Sequence, residues 1–141
     1  MKALAAALAL FATPLMAAHE LEGRDLAMGE QIYGEQCAAC HGVNLEGAPN
    51  WQFRQADGTL PAPPHDATGH TWHHDNGLLF TYTKLGGAGA LEAMGITDFK
   101  SGMPAYAEVL TDEEIWSVLA FIRSTWPAEI QAAQEARNPP H

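Results

Sequence analysis

Two cysteines, a two-residue spacer and a histidine stand together at Cys37-Ala38-Ala39-Cys40-His41. Thiols at this spacing can add across the two vinyl groups of a haem as thioethers, and the next imidazole can then bind one face of the iron. The alternatives are a redox or disulfide Cys-x-x-Cys pair and half of a zinc site. A zinc site would lack its second cysteine pair, and no thioredoxin-like strand pattern surrounds the motif. The residues therefore favour one covalent haem c bound through Cys37 and Cys40, with His41 as an axial ligand.

An iron held by His41 needs either a second protein ligand or an open coordination site. Met103 is favoured as that ligand because Gly102 permits an unusual turn before it and Pro104 stiffens the chain after it. A thioether ligand favours the ferrous state and raises the reduction potential relative to a second histidine. We expect Met28 and Met94 to fill the core. The remaining candidate ligands are His65, His70, His73 and His74.

The run His70-Thr71-Trp72-His73-His74 suggests a second kind of metal site. On a helix its three histidines would share a face and could bind zinc or copper. Gly69 and Thr71 disfavour that helix, and no carboxylate or cysteine completes the site, so solvated loop histidines near a haem propionate are favoured. The indole N–H of Trp72 is a candidate donor to a propionate, although the ring would equally serve in packing.

A first amphipathic helix is predicted from its N-cap at Asp25 into the cysteine motif at Cys40. Gly29 and Tyr33 are four residues apart and would share one face of this helix. A glycine inside a helix costs about 1 kcal/mol relative to alanine. Gly29 therefore suggests close approach by another backbone, although an incidental glycine fits the same residues.

A second strong helix is predicted to begin at Thr111, which opens a capping box with Glu114, and to end before Pro127. The segment between the two helices, residues 42–102, is mostly irregular, as expected for loops that wrap a macrocycle. One short helix interrupts it, capped by Asp75 or Asn76 and ending at Gly86-Gly87.

The first residues have the pattern of a signal peptide, with Lys2 at its positive start, a short apolar stretch, and Ala17 or Ala18 near the cleavage site. The apolar stretch is too short for a permanent membrane span. We therefore expect export, most simply to a bacterial periplasm. The expected boundaries are a signal peptide at 1–18, a single domain at 19–127 and a flexible tail at 128–141.

The chain is acidic, with 17 acidic and 7 basic residues and a net charge of −10. Removal of Lys2 with the signal peptide would make the net charge −11. Nucleic acids and anionic membranes are therefore poor partners. Redox proteins with basic docking surfaces are the expected partners, with association rates that fall as salt rises.

These features resemble a class I monohaem cytochrome c over residues 25–127. The resemblance implies an all-α fold in which the N- and C-terminal helices cross while loops and a short middle helix wrap one covalent haem. It matches Gly29 and Tyr33 on the first helix with Val118 and Phe121 on the last. It also implies that a proline carbonyl accepts the Nδ1–H of the axial histidine, and Pro49 is the matching candidate. Residues 51–74 are longer than in the smallest members.

The function predicted from these residues and the resemblance is that of a periplasmic single-electron carrier with His41 and Met103 as iron ligands. It would be an electron-transfer protein rather than an enzyme, working alone or as a subunit of a redox complex. One alternative is an open iron that acts as a peroxidase or binds a gas. Another is a metal-binding role for the histidine cluster.

Overall fold

The computed structural model describes residues 20–139, so the predicted signal peptide at 1–18 lies outside the described residues. Within residues 20–139 there is no β-strand, which confirms the predicted all-α class. No helix in this range is long and apolar enough to cross a membrane. The helices are α1 (Leu26–Ile32), α2 (Ala38–His41), α3 (Asn76–Ala93), α4 (Asp112–Ser124) and α5 (Ala128–Glu135), with a π-helical turn at Tyr33–Cys37 and a 3-10 turn at Thr71–His73.

Helices α1 and α4 cross at Gly29 and form the centre of the fold. A Cβ atom added to Gly29 would lie 2.7 Å from the carbonyl carbon of Ser117 and 2.9 Å from Cβ of Phe121. Tyr33 packs its ring against Phe121, with the centroids 5.7 Å apart. Val118, the other predicted partner, is buried in the core. Gly29 is therefore required by close approach of two backbones, and the predicted crossing is confirmed.

The predicted helix caps are present. Asp25 accepts a hydrogen bond from the backbone N–H of Met28 at 3.0 Å. Asp75 likewise accepts from the N–H of Leu78 at 2.9 Å. At the start of α4, Thr111 and the third helical residue cap each other reciprocally, as the sequence predicts. These side chains satisfy backbone donors that a helix leaves free at its N-terminus.

Helix α3 kinks at Gly86, where φ is +71°, and then continues to Ala93. The sequence correctly predicts the break but not the helical residues beyond it. A Cβ atom on Gly86 would lie 2.7 Å from the backbone nitrogen of Ala105. The neighbouring N–H of Gly87 donates to the carbonyl of Met103 at 3.0 Å. The kink is thus the point at which the Met103 loop crosses α3.

In the segment expected as a flexible tail from residue 128, the described residues form α5. Gln134 is fully buried and donates to Oδ1 of Asn76 at 2.7 Å. The backbone N–H of Asn76 donates to the side chain of Asn138 at 2.7 Å. The side-chain amide of Asn76 donates to Glu20 at 2.9 Å. Polar side chains therefore contribute to the position of α5, and such side chains leave no apolar periodicity in the sequence.

Candidate haem site

The cysteine motif begins in the π-helical turn, where the N–H of Ala38 bonds to the carbonyl of Tyr33. Cys37 is half-buried and Cys40 is exposed, and both are free thiols. Burial raises the pKa of Cys37 to about 11, and the neighbouring Cys40 adds to this rise. The Cys37 sulfur is therefore held as a thiol at neutral pH.

The His41 imidazole is buried and oriented by one hydrogen bond. Its Nδ1 lies 2.8 Å from the carbonyl oxygen of Pro63. A carbonyl can only accept, so Nδ1 carries the proton and Nε2 keeps the lone pair that a metal ligand needs. Burial lowers the pKa of His41, while the Pro63 hydrogen bond opposes that shift. The ring is thus a neutral imidazole of defined tautomer.

The proline that orients His41 is Pro63, so the prediction of Pro49 was wrong. Pro49 is exposed, in a turn that continues through Asn50 with φ at +56°. After this turn the chain leads through a long loop and folds back beside Ala48, whose N–H donates to the carbonyl of Ala62 at 2.9 Å. Because a long loop separates the two prolines, the proline nearer to His41 in the sequence is not the one that bonds to it.

A second imidazole, His65, stacks on His41 with ring centroids 4.0 Å apart and an interplanar angle of 20°. Nδ1 of His65 lies 2.9 Å from Oγ1 of Thr71, whose hydroxyl donates to the carbonyl of Pro64. Because that hydroxyl proton is already used, Nδ1 of His65 must be the donor. Burial holds the pKa of His65 well below its usual value, so the ring is neutral. Sequence reasoning gave His65 no such role.

Two tyrosines connect the motif to the rest of the site. The hydroxyl of Tyr33 donates to the carbonyl of Gly42, the residue after His41, at 2.9 Å. The hydroxyl of Tyr106 donates to the carbonyl of Gln36, the residue before Cys37, at 2.8 Å. The chain just after Met103 is therefore bonded to the chain that carries the cysteines.

Met103 is half-buried on a loop that lies against the kink of α3. Its backbone N–H donates to Oγ of Ser101 at 3.3 Å, and its carbonyl accepts from Gly87. Tyr106 continues the contact, since its N–H bonds to the carbonyl of Thr83 at 3.1 Å. Met94, predicted to fill the core, is 44% exposed, so that prediction was wrong.

The histidine-rich segment divides its rings between two separate contacts. His70 and His74 meet edge to face at 5.5 Å, whereas His73 stacks on Trp72 at 3.7 Å. Among residues 20–139 no group of three or more histidine, cysteine, aspartate or glutamate side chains could hold a metal ion. The indole N–H of Trp72, a candidate propionate donor, donates to the carbonyl of Ala67 at 3.3 Å.

The profile of the cytochrome c family matches residues 26–126, from the start of α1 to the buried Trp126. The chain belongs to the cytochrome c family. This cytochrome is also 33% identical over 125 residues to a nitrite reductase from Stutzerimonas stutzeri. The alignment covers 84% of this chain but only 18% of the reductase. No solved structure matches the chain significantly.

Members of this family carry covalent haem c, and the described residues fit that group. Two residues separate the free thiols of Cys37 and Cys40, and the adjacent His41 imidazole has its Nε2 lone pair available. Cys37 and Cys40 would hold the group as thioethers, and His41 would bind its iron. The cytochrome is therefore equipped for haem-based electron transfer.

Proposed function

We propose that this cytochrome is a periplasmic single-electron carrier in which His41 and Met103 are the two axial ligands. When bound, haem c supplies one-electron exchange between Fe(III) and Fe(II). The observation that carries the proposal is the hydrogen bond from Tyr106 to Gln36, which joins the Met103 loop to the chain beside Cys37. This bond supports the assignment of both ligands to one site.

The protein residues would keep the coordination unchanged during electron transfer. Pro63 and His65 fix the orientation of the His41 ring through a hydrogen bond and a stacking contact. The contact of the Met103 loop with Gly87 limits movement of the second ligand. Two fixed ligands exclude oxygen and other small molecules, and they reduce the structural change between the two oxidation states.

Exposure of the motif supports direct exchange with a partner protein. Cys40 is exposed, and Val43, just beyond the motif, is 75% exposed. A group bonded to Cys40 would thus have an edge at the protein surface. The net charge of −10 favours a partner with a basic docking surface, with an association rate that falls as ionic strength rises.

The pattern of a signal peptide at residues 1–18 supports export to the periplasm. The similarity to part of a nitrite reductase supports a role beside a larger redox enzyme. We infer that the chain delivers electrons to such an enzyme or receives them from it, while substrate chemistry takes place on the partner.

The visible spectrum of the mature holoprotein tests the ligand assignment. We expect a low-spin spectrum with the weak ferric sulfur-to-iron band and no response to carbon monoxide. Met103→His should retain the haem and lower the midpoint potential, because imidazole donates more strongly and favours ferric iron. Met94→His is the matched control, since Met94 is exposed and lies outside the Met103 loop, and it should leave the potential unchanged.

Two results would contradict the proposal. A midpoint potential that is the same in Met103→His and the unsubstituted protein would show that Met103 is not a ligand. A high-spin spectrum that shifts with carbon monoxide would indicate an open iron, and catalysis or gas binding would then replace electron carriage.

A further inference from the structure

A turn outside the haem motif closes on itself through several hydrogen bonds. The guanidinium of Arg54 donates to the carbonyl of Gly58 at 2.7 Å. Gln55 and Thr59 join the two ends of the turn, with the N–H of Gln55 bonded to the carbonyl of Thr59 at 2.8 Å. Asp57 accepts from the N–H of Thr59 at 2.9 Å. Residues 54–59, here called the brace turn, therefore form a compact unit.

The brace turn contacts the chain immediately before Met103. The guanidinium carbon of Arg54 lies 4.8 Å from the ring centroid of Phe99. The ammonium of Lys100 donates to the carbonyl of Asp57 at 3.2 Å. Both partners precede Met103 by only three or four residues. A cation over an aromatic face and a charged hydrogen bond thus connect the turn to the ligand loop.

The opposite side of the same loop rests on α3. There the N–H of Gly87 donates to the carbonyl of Met103, and a Cβ on Gly87 would lie 3.6 Å from Cβ of Met103. The Met103 loop is therefore held between α3 and the brace turn. Movement of the methionine away from the site must break the contacts on at least one of these sides.

We propose that the brace turn is a positioning device for the axial methionine, with Arg54 and Lys100 as its positioning residues. This inference rests on the proposed ligation by Met103. Contacts from the turn stabilise the conformation in which the Met103 loop holds its methionine at the site. They do not stabilise a conformation in which this loop has moved away. They therefore oppose replacement of the methionine by any outside ligand.

The two contacts lie at the surface, where each cation–π contact or charged pair has a modest effect. Loss of both should raise the apparent affinity of the ferric protein for an outside ligand by about tenfold, because opening of the loop limits binding. The haem attachment and the Pro63 hydrogen bond to His41 lie elsewhere in the site, so the spectrum without added ligand should not change.

Imidazole titration of the ferric holoprotein tests the proposal, with the sulfur-to-iron band as the readout. The test variant is Arg54→Ala combined with Lys100→Met. Phe99→Leu is a second variant, which removes the aromatic face but keeps an apolar side chain. Lys84→Met is the matched control, because Lys84 bonds to Asp112 at 2.7 Å and not to the brace turn.

We expect all four proteins to show the band without imidazole, and the double variant to lose it at about one tenth of the imidazole concentration. Phe99→Leu should shift in the same direction, and Lys84→Met should match the unsubstituted protein. Equal imidazole affinities, with the band present, would overturn the brace and leave Met103 ligation standing. Absence of the band from the unsubstituted protein would overturn Met103 ligation, and the brace with it.

Discussion

Substitution of Gly29 by alanine should separate α1 from α4 and destabilise the holoprotein. The new Cβ would lie 2.7 Å from the carbonyl carbon of Ser117 and 2.9 Å from Cβ of Phe121. Neither atom can move by a side-chain rotation, because one is backbone and the other is attached directly to it. Relief of the clash therefore requires a shift of a whole helix.

The cost of such overpacking is typically about 1–3 kcal/mol, and contact with backbone atoms argues for the upper end of that range. Alanine also gains about 1 kcal/mol of helix propensity relative to glycine. The net loss for Gly29→Ala is thus about 2 kcal/mol of unfolding free energy. For a domain of this size it corresponds to a melting temperature lower by about 8 °C.

Gly34→Ala is the matched control for this prediction. Gly34 lies in the π-helical turn that follows α1, and a Cβ added there would meet nothing within 4 Å. Urea unfolding of the two ferric holoproteins, followed by far-UV circular dichroism, should show Gly34→Ala to be the more stable by about 3 kcal/mol. Equal unfolding free energies would refute the claim that the crossing requires a glycine.

Three further predictions concern other parts of the chain. Gln134→Ala should lower the unfolding free energy by about 1–3 kcal/mol, because it removes the buried amide that donates to the His74 carbonyl and to Oδ1 of Asn76. Urea unfolding measures this, and an unchanged value would show that α5 is held in another way. Hydrogen bonds from the N–H and then the hydroxyl of Thr111 lower the pKa of Glu114. The stabilisation by Glu114 is therefore complete above its unfolded pKa and is lost as pH falls through its lower folded pKa. Glu114→Gln should reduce the loss of unfolding free energy that the protein shows as pH falls. Identical profiles of unfolding free energy against pH in the variant and the unsubstituted protein would contradict this. Cys37→Ala with Cys40→Ala should lose all haem on denaturation and extraction, whereas the unsubstituted protein should keep it; haem that stays attached to the variant would refute thioether bonding.

Local signals in the sequence were sufficient for much of the fold. Asp25 and Thr111 cap helices through contacts with residues three positions away, so their roles follow from neighbours in the sequence. Gly29 pointed to a close contact because a glycine inside a helix needs a physical reason. The capped helices could therefore be predicted from the residues themselves, whereas the crossing of α1 with α4 was implied by the resemblance to class I cytochromes c.

Features that depend on the path of a long loop could not be predicted in this way. The acceptor for His41 is Pro63 rather than Pro49, because the intervening loop delays the return of the chain. The stacking of His65 on His41 depends on that same path. The packing of α5 could not be predicted for another reason, because it depends on the buried Gln134, and a buried amide has no apolar periodicity that would reveal it.

The hydrogen bonds of Asn76 have a consequence for how this domain would join other domains. Its side-chain amide bonds to Glu20 and its backbone N–H bonds to Asn138, so the two ends of the described chain meet at one residue. A domain whose ends are adjacent can be inserted into a host protein without forcing the host's own chain apart. A short linker between residues 20 and 138 would likewise permit circular permutation, with new ends placed in an exposed loop.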